Sequence, residues 1–436
     1  MTSPPAPTAG KGALVAWALY DWANSSFAAV ITTFVFAAYF TKAVAADPVT
    51  GTSQWGYAIS LSALLVAFSS PLMGAIADNA GRRKPWLFVF TAVAVAATGL
   101  LWLVKPDPAY VLLALVLVGV GNYAFEAGTV FYNAMLPDLV AKPRVGRLSG
   151  WAWGLGYAGG LVCLAVALVG FVQTETPWFG VGKDQAANIR AVAVLVAVWF
   201  GVFAVPLFLF TPDTPSKNLR VGDAIAKGWA SFATMLGRAR AQKSVVRFVI
   251  ARMLYVDGLT TLFAFGGIYA AGTFGMSFAD LILFGIGMNV TAGIGAALFA
   301  WIDDRIGPKP TILISVAGLI ALGTALLLID SKTLFWVFGL PLGFFVGPAQ
   351  AASRSFMAHL APPHLRTEMF GLLAFSGKAT AFLGPAVLAA VTDLFDSQRA
   401  GMASIIVFFA LGMIVLWPIA DPRAAAETVA DPGRRE

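Results

Sequence analysis

The chain has 436 residues, 59% of them hydrophobic and only 12% charged, with 44 glycines, 34 phenylalanines and a formal charge of +7. Soluble domains carry about 25% charged residues, so this chain cannot cover a water-facing surface, and readings as a soluble enzyme, a disordered protein or a nucleic-acid module are excluded. The single cysteine, Cys163, rules out an intrachain disulfide and a cysteine-cluster metal site, and its apolar surroundings predict a buried, inert thiol.

Residues 1–12 are polar and Pro-rich, unlike the basic start of a secretory signal, and are expected to form a tail ahead of a retained first span. A helix needs roughly 20 apolar residues to cross a bilayer. Twelve segments qualify: 13–43, 54–77, 86–104, 109–136, 148–172, 190–210, 245–271, 278–301, 311–329, 334–358, 369–392 and 402–419. The expected fold class is therefore an all-α integral membrane protein, with the lipid bilayer as its partner. The only long break, 211–244, divides an N-terminal six-helix bundle (13–210) from a C-terminal one (245–420), followed by a tail at 421–436. From Asp223 to Arg240 the break puts Ile225, Trp229, Phe232 and Leu236 on one helical face, with Lys227, Arg238 and Arg240 among the polar positions. That pattern predicts a linker helix lying along the membrane interface.

An even span count places both ends on one side. With the ends inside, twenty of the 29 Lys and Arg residues fall in inside segments or, for Arg247, at the inner end of a span, and six in outside loops or, for Lys42 and Arg190, at the outer end of a span, while Arg252, Arg354 and Lys378 lie deeper within spans. The positive-inside rule then predicts cytoplasmic termini in a cell membrane, inner or plasma, and makes the basic charge a topology signal.

Two loops, each after the second span of its half, share a pattern. Gly74-x-x-x-Asp78-x-x-Gly81-Arg82-Arg83-Lys84 corresponds to Asp303-Asp304-Arg305-Ile306-Gly307-Pro308-Lys309. Tyr20-Asp21 likewise corresponds to Tyr255-Val256-Asp257, and Ser149-Gly150 to Phe370-Gly371. Landmarks in the same order argue for duplicated bundles. Glycine permits close helix approach, the aspartate can accept from a helix N-terminus or an arginine, and the arginines can pair with carboxylates, so the loops read as a latch at the cytoplasmic mouth.

Intramembrane charge costs roughly 2.5–3.5 kcal/mol per residue on insertion scales. Spans 3, 6, 9 and 12 carry none in their apolar stretches; spans 1, 4, 7 and 10 carry Asp21, Glu126, Arg252, Asp257 and Arg354, and span 11 adds Lys378. This period of three helices fits an inverted-repeat transporter whose first helix of each triplet lines a central cavity. Helical spacing groups Asp21, Asn24 and Ser25 on span 1, Asp257, Thr260 and Thr261 on span 7, and Asn122, Glu126, Thr129 and Asn133 on span 4. The expected lining is these stripes with Tyr20, Tyr123, Tyr255 and Gln350. Glu126, Asp21 and Asp257 are candidates to exchange a proton. Arg252, Arg354 and Lys378 are candidates for a substrate carboxylate. Structural ion pairing, for instance Asp21 with Arg252, is the competing role. Among the glycines and prolines within spans, hinging is expected only near Pro341 to Pro348.

Other classes fit worse. Gly371 to Gly377-Lys378-Ala379 has the wrong spacing for a phosphate-cradling loop and lies in an apolar helix. His359 and His364 fall near a loop and form no catalytic or metal set. No enzyme activity, cofactor or metal is expected, and the partner is a small-molecule substrate of a monomer. A lipid-moving or receptor-like protein on the same fold is the alternative.

The Gly74–Lys84 loop resembles the signature loop of the major facilitator superfamily. Asn79, Ala300 and Pro308 depart from it. Tyr20-Asp21-Trp22-Ala23-Asn24-Ser25, Phe131-Tyr132-Asn133-Ala134-Met135-Leu136-Pro137, Gly154-x-Gly156-Tyr157-x-Gly159-Gly160, Arg252-Met253-x-Tyr255-x-Asp257-Gly258, Gln350-x-x-Ser353-Arg354-Ser355 and Glu368-x-Phe370-Gly371 are similar to the unknown-major-facilitator branch, which includes fungal vacuolar amino-acid effluxers linked to autophagy. The resemblance implies two pseudo-symmetric six-helix bundles rocking about a central cavity, and a small polar organic solute, amino acids among the options.

Overall fold

The computed structural model describes residues 9–217, 221–238 and 243–421. Among these, twelve helical stretches are long and apolar enough to cross a membrane: Lys11–Val44, Pro48–Ala80, Lys84–Leu103, Pro108–Leu139, Lys142–Val172, Asp184–Phe210, Lys243–Phe274, Leu283–Ile306, Pro308–Leu327, Lys332–Leu360, Pro363–Phe395 and Gln398–Leu416. They are spans 1 to 12 below. Several outrun the apolar run that marks them in the sequence, because a helix continues until its end groups are satisfied. Span 2 begins where the Asp47 carboxylate accepts from the Val49 and Thr50 N–H groups, with Pro48 in the first turn. Those bonds and the Thr50 hydroxyl hold the Asp47 carboxyl below its ordinary range.

Each half is a bundle in which span 1 packs on spans 5 and 6, and span 7 on span 12. The halves meet mainly through two crossed pairs, span 2 against span 11 and span 5 against span 8. The loops at Gly81–Lys84 and Asp303–Lys309 lie on one face, here the basic face. The ends of the described chain join it: Ala9 N–H donates to the Leu139 carbonyl at 3.0 Å, and Lys309 Nζ donates to the Trp417 carbonyl at 2.7 Å.

Two irregularities shape the interior. Span 1 passes into π-helical turns at Phe27–Phe34 and Phe40–Val44, a deviation frequent near functional sites. Span 11 breaks between Arg366–Lys378 and Leu383–Phe395. The cause is Pro385, whose missing N–H and bulky ring disallow a regular turn onto Ala381. Span 10, where a hinge at Pro341 to Pro348 is expected, runs without interruption. Its glycines there are packing points: a Cβ on Gly343 or Gly347 would collide with the Met288 or Ala292 carbonyl of span 8.

The linker helix, Val221–Arg238, packs on the basic end of span 2 with Ala224 and Gly228 buried, and a Cβ on Gly228 would meet the Ile76 backbone. Small residues thus face the protein, while Ile225 and Trp229 are exposed on the apolar face read from the sequence. The side chains of Phe232, Leu236 and Arg238, and residue Arg240, lie outside the described residues.

Candidate functional site: a central cavity closed on the basic face

Between the halves lies a cavity of about 740 Å³. Its wall runs from Asn133 and Arg354 towards Phe34, Leu281, Leu327 and Phe335, on the side away from the basic face. On the basic side it is shut in three layers.

The outermost layer is the loop pattern. Asp78 Oδ1 accepts from the Thr367 hydroxyl at 2.6 Å and Oδ2 from the Glu368 N–H at 3.0 Å, so the carboxylate sits on the first turn of span 11's inner helix. There it meets the unsatisfied N–H groups and the positive end of the helix dipole. The repeat does the same in the opposite sense: Asp304 Oδ1 accepts from the Arg147 N–H of span 5 at 2.9 Å and pairs with the Arg147 guanidinium at 3.1 Å. Arg83 is buried, donates to Thr367 Oγ1, the Ala134 carbonyl and Asp138, and stands 3.6 Å from Asp78. Desolvation lowers its pKa from the ordinary arginine value, opposed mainly by the charges of Asp78 and Asp213. Arg366 adds a second pair to Asp138. Gly81 and Gly307 take φ of +100° and +95°, a left-handed turn open to glycine. Arg82 and Arg305 point to the surface.

The second layer is backbone against backbone. A Cβ on Gly74 would strike the Thr367–Glu368 peptide, and one on Gly371 would strike Ser70 and Pro71. In the other pair the glycine has changed sides. Ala300 stands at the position matching Gly74, and the close approach is supplied by Gly150, whose added Cβ would meet the Ala296 carbonyl and Ala300. Gly146 similarly abuts Asp303.

The third layer is Arg354, 3% exposed. From span 10 it reaches into the N-terminal half, donating from Nε to Ser149 Oγ at 2.9 Å and from Nη2 to the Ser149 carbonyl at 2.6 Å. Its Nη1 donates to Asp21 at 3.0 Å and to Asn133 at 3.2 Å. Trp17, Tyr132 and Trp153 surround it, with ring centroids 5.1, 5.8 and 5.8 Å from the guanidinium carbon. A fork with this many fixed partners holds a buried ion pair. Asp21 thus pairs with Arg354 and not with Arg252, which spends its Nη1 on the Leu373 carbonyl and Ser376 Oγ of span 11.

Above this floor, Glu126 of span 4 faces Lys378 of span 11 at 2.6 Å across the halves, with the two side chains 21% and 29% exposed. Both line the cavity, as do Asp21, Asn24, Asn133, Arg252, Gln350 and Arg354. Six expected lining residues do not, among them Thr261, whose hydroxyl donates to the Asp257 carbonyl. Tyr20 is buried with its hydroxyl on Thr91, Asn122 donates to Ser62, and Tyr123 meets Ser69. Tyr255 bonds Ser353, and Asp257 is turned into the packing of span 7. Each lies on or beside a polar helical stripe, and the flank of such a stripe is wide enough to face a neighbouring span. Sequence reasoning missed Trp153 and Asn289 as wall residues, and Tyr157, whose hydroxyl meets the Gln350 amide at 3.5 Å. Only Tyr157 carried a signal, next to the glycines of span 5.

The profile of the family described as "Vacuole effluxer Atg22 like" matches residues 43–429. An uncharacterized MFS-type transporter of Bacillus subtilis (strain 168), YxiO, is 25% identical over 92% of this chain and 93% of its own length. Autophagy-related protein 22-1 of Penicillium rubens is 23% identical, covering 83% of this chain and 74% of that protein. Among solved structures, the transporter FucP in its outward conformation superposes with a TM-score of 0.72 at 13% identity, covering 94% of this chain and 98% of that one. The human organic anion transporter MFSD10 gives 0.71 at 15% identity, with 95% and 100% covered. These likenesses fix the architecture as two pseudo-symmetric six-helix bundles of the major facilitator fold, built for membrane transport. This chain belongs to the Atg22-like vacuole effluxer family.

Proposed function

We propose that this chain is a secondary transporter that carries a small zwitterionic solute of the amino-acid type through alternating access of its two halves. One half is 13–210 and the other 245–420, and the protein acts as a monomer in a cell membrane with its basic face cytoplasmic. The observation that carries the reading is the Glu126–Lys378 pair, set across the halves in the cavity wall and partly open to it. A zwitterion offers each member a replacement partner, its ammonium for Glu126 and its carboxylate for Lys378. Binding then exchanges one ion pair for two and loosens a bond between the halves. Arg354 is spent on the floor of the cavity, so the substrate carboxylate falls to Lys378, with Arg252 beside it in the wall. The shape, shut at the basic face, corresponds to the outward-facing state. The family description as vacuole effluxers agrees with the carriage of a solute across a membrane.

The test is counterflow in liposomes with a panel of radiolabelled amino acids. Saturable exchange is expected, with Lys378→Ala raising KM about tenfold or more while expression holds. Redistribution of labelled phospholipid without amino-acid exchange would replace this reading with a lipid mover.

A further inference from the structure

Asp257 is 1% exposed and belongs to no ion pair among the described residues. Its Oδ1 is sealed from solvent, and so is Oγ1 of Thr380 on span 11, the uncharged hydroxyl group that faces the carboxyl group. An ionised carboxylate in a membrane interior without a counter-charge is costly, and such a group takes up a proton or a cation.

Among the described residues, the surroundings supply no fixed positive charge free of another partner. On its own helix Arg252 is held by the Leu373 carbonyl and Ser376, and Tyr255 by Ser353. On span 11 Lys378 is held by Glu126, and span 12 presents Phe408 and Phe409 beside Gly258. What the surroundings supply is oxygen. Thr261 stands one turn on from Asp257, and Gly384 is packed against the Thr261 hydroxyl and the Asp257 carbonyl. Thr380 lies within the break of span 11, where regular turns give way to tighter bonds from Ala381 N–H to Lys378 O at 3.3 Å and from Leu383 N–H to Thr380 O at 2.7 Å. Interrupted membrane helices of this kind expose carbonyl oxygens that regular turns would occupy.

We infer that Asp257 and Thr380, between span 7 and the break of span 11, form a site for a small monovalent cation, separate from the substrate cavity. The cation is either a proton on the carboxyl group or a sodium ion between carboxylate and hydroxyl. Neither residue lines the cavity, but Val256 and Thr260 beside Asp257 do, and Lys378 precedes Thr380 by two residues. Filling the site therefore bears on the part of span 11 that carries the Glu126 partner. The site couples to the transport proposed above, yet it can be read without any solute.

The experiment is the thermal unfolding of purified full-length protein in detergent, from about pH 5 to about pH 9, in choline chloride and in sodium chloride at about 150 mM. In choline, the wild-type Tm should fall by several degrees as pH rises and the carboxyl group loses its proton. Asp257→Asn should remove that step. A step unaltered by sodium identifies the proton; a step that sodium restores, with the restoration lost in Thr380→Val, identifies the sodium ion. If Asp257→Asn does not fold, Thr380→Val alone decides, because it should shift the midpoint of the step or the sodium requirement about tenfold. Coincident wild-type and Asp257→Asn curves in both salts, or a Thr380→Val curve identical to wild type, would overturn the site. Loss of amino-acid exchange with these curves as expected would instead count against the transport reading.

Discussion

Asp21 and Asp257 lie one and two residues after a tyrosine at corresponding points of spans 1 and 7, yet Asp21 is held by Arg354 at 3.0 Å and Asp257 has no cation against it among the described residues. The difference lies in the partner helices. At the offset that relates Ser149–Gly150 to Phe370–Gly371, Arg354 of span 10 corresponds to Asn133 of span 4. The two bundles therefore share the acid but not the arginine. One acid closes the floor of the cavity; the other is left buried beside the broken stretch of span 11. Divergence within a symmetric frame separates a structural charge from one free to exchange its cation.

The comparison can be broken from the Arg354 side first. Arg354→Ala strands Asp21 and the Ser149 carbonyl, and removing one member of a buried pair costs about 3–5 kcal/mol. The expected result is opening of the basic face, read as at least tenfold faster maleimide labelling of an Ala351→Cys probe, with native Cys163 buried and silent. Asp257→Asn should leave that labelling rate unchanged. Next come the seams. Gly371→Val and Gly150→Val each place a side chain against opposing backbone, an overpacking cost of about 1–3 kcal/mol, and both should abolish exchange while the protein still inserts. Of the two loop aspartates, Asp78→Asn should slow return to the closed state more than Asp304→Asn. Asp78 takes two bonds from the first turn of span 11 and stands by the buried Arg83, whereas Asp304 pairs with an Arg147 whose side chain is 42% exposed. Smallest in stability is Glu126→Gln, since glutamine keeps the size and an accepting oxygen towards Lys378 on the open wall of the cavity. Its Tm should stay near wild type and its KM for exchange should rise, with the pH step assigned to Asp257 intact.

The spans were legible because length and apolarity alone define a crossing, and the six-plus-six division because 211–244 is the long break between them. The loop aspartates were legible through their repetition. Side-chain direction was less so. Helical spacing puts Asn122 and Glu126 on one stripe of span 4, but Asn122 meets Ser62 while Glu126 enters the cavity, a distinction set by where span 2 lies. The pairing of Asp21 spans 333 positions of sequence, and no local pattern chooses Arg354 over Arg252. The break in span 11 was readable in principle from Gly384-Pro385, whereas the prolines of span 10 sit in a continuous helix.

The seams at Gly74, Gly371 and Gly150 consist of uncharged backbone in van der Waals contact, so salt and pH leave them alone. They make the barrier to leakage a steric one. A carrier must never be open at both faces at once, and here that insulation rests on positions where a single methyl group would hold the gate ajar. Small substitutions at these glycines should therefore show themselves first as uncoupled ion current, before any loss of folded protein.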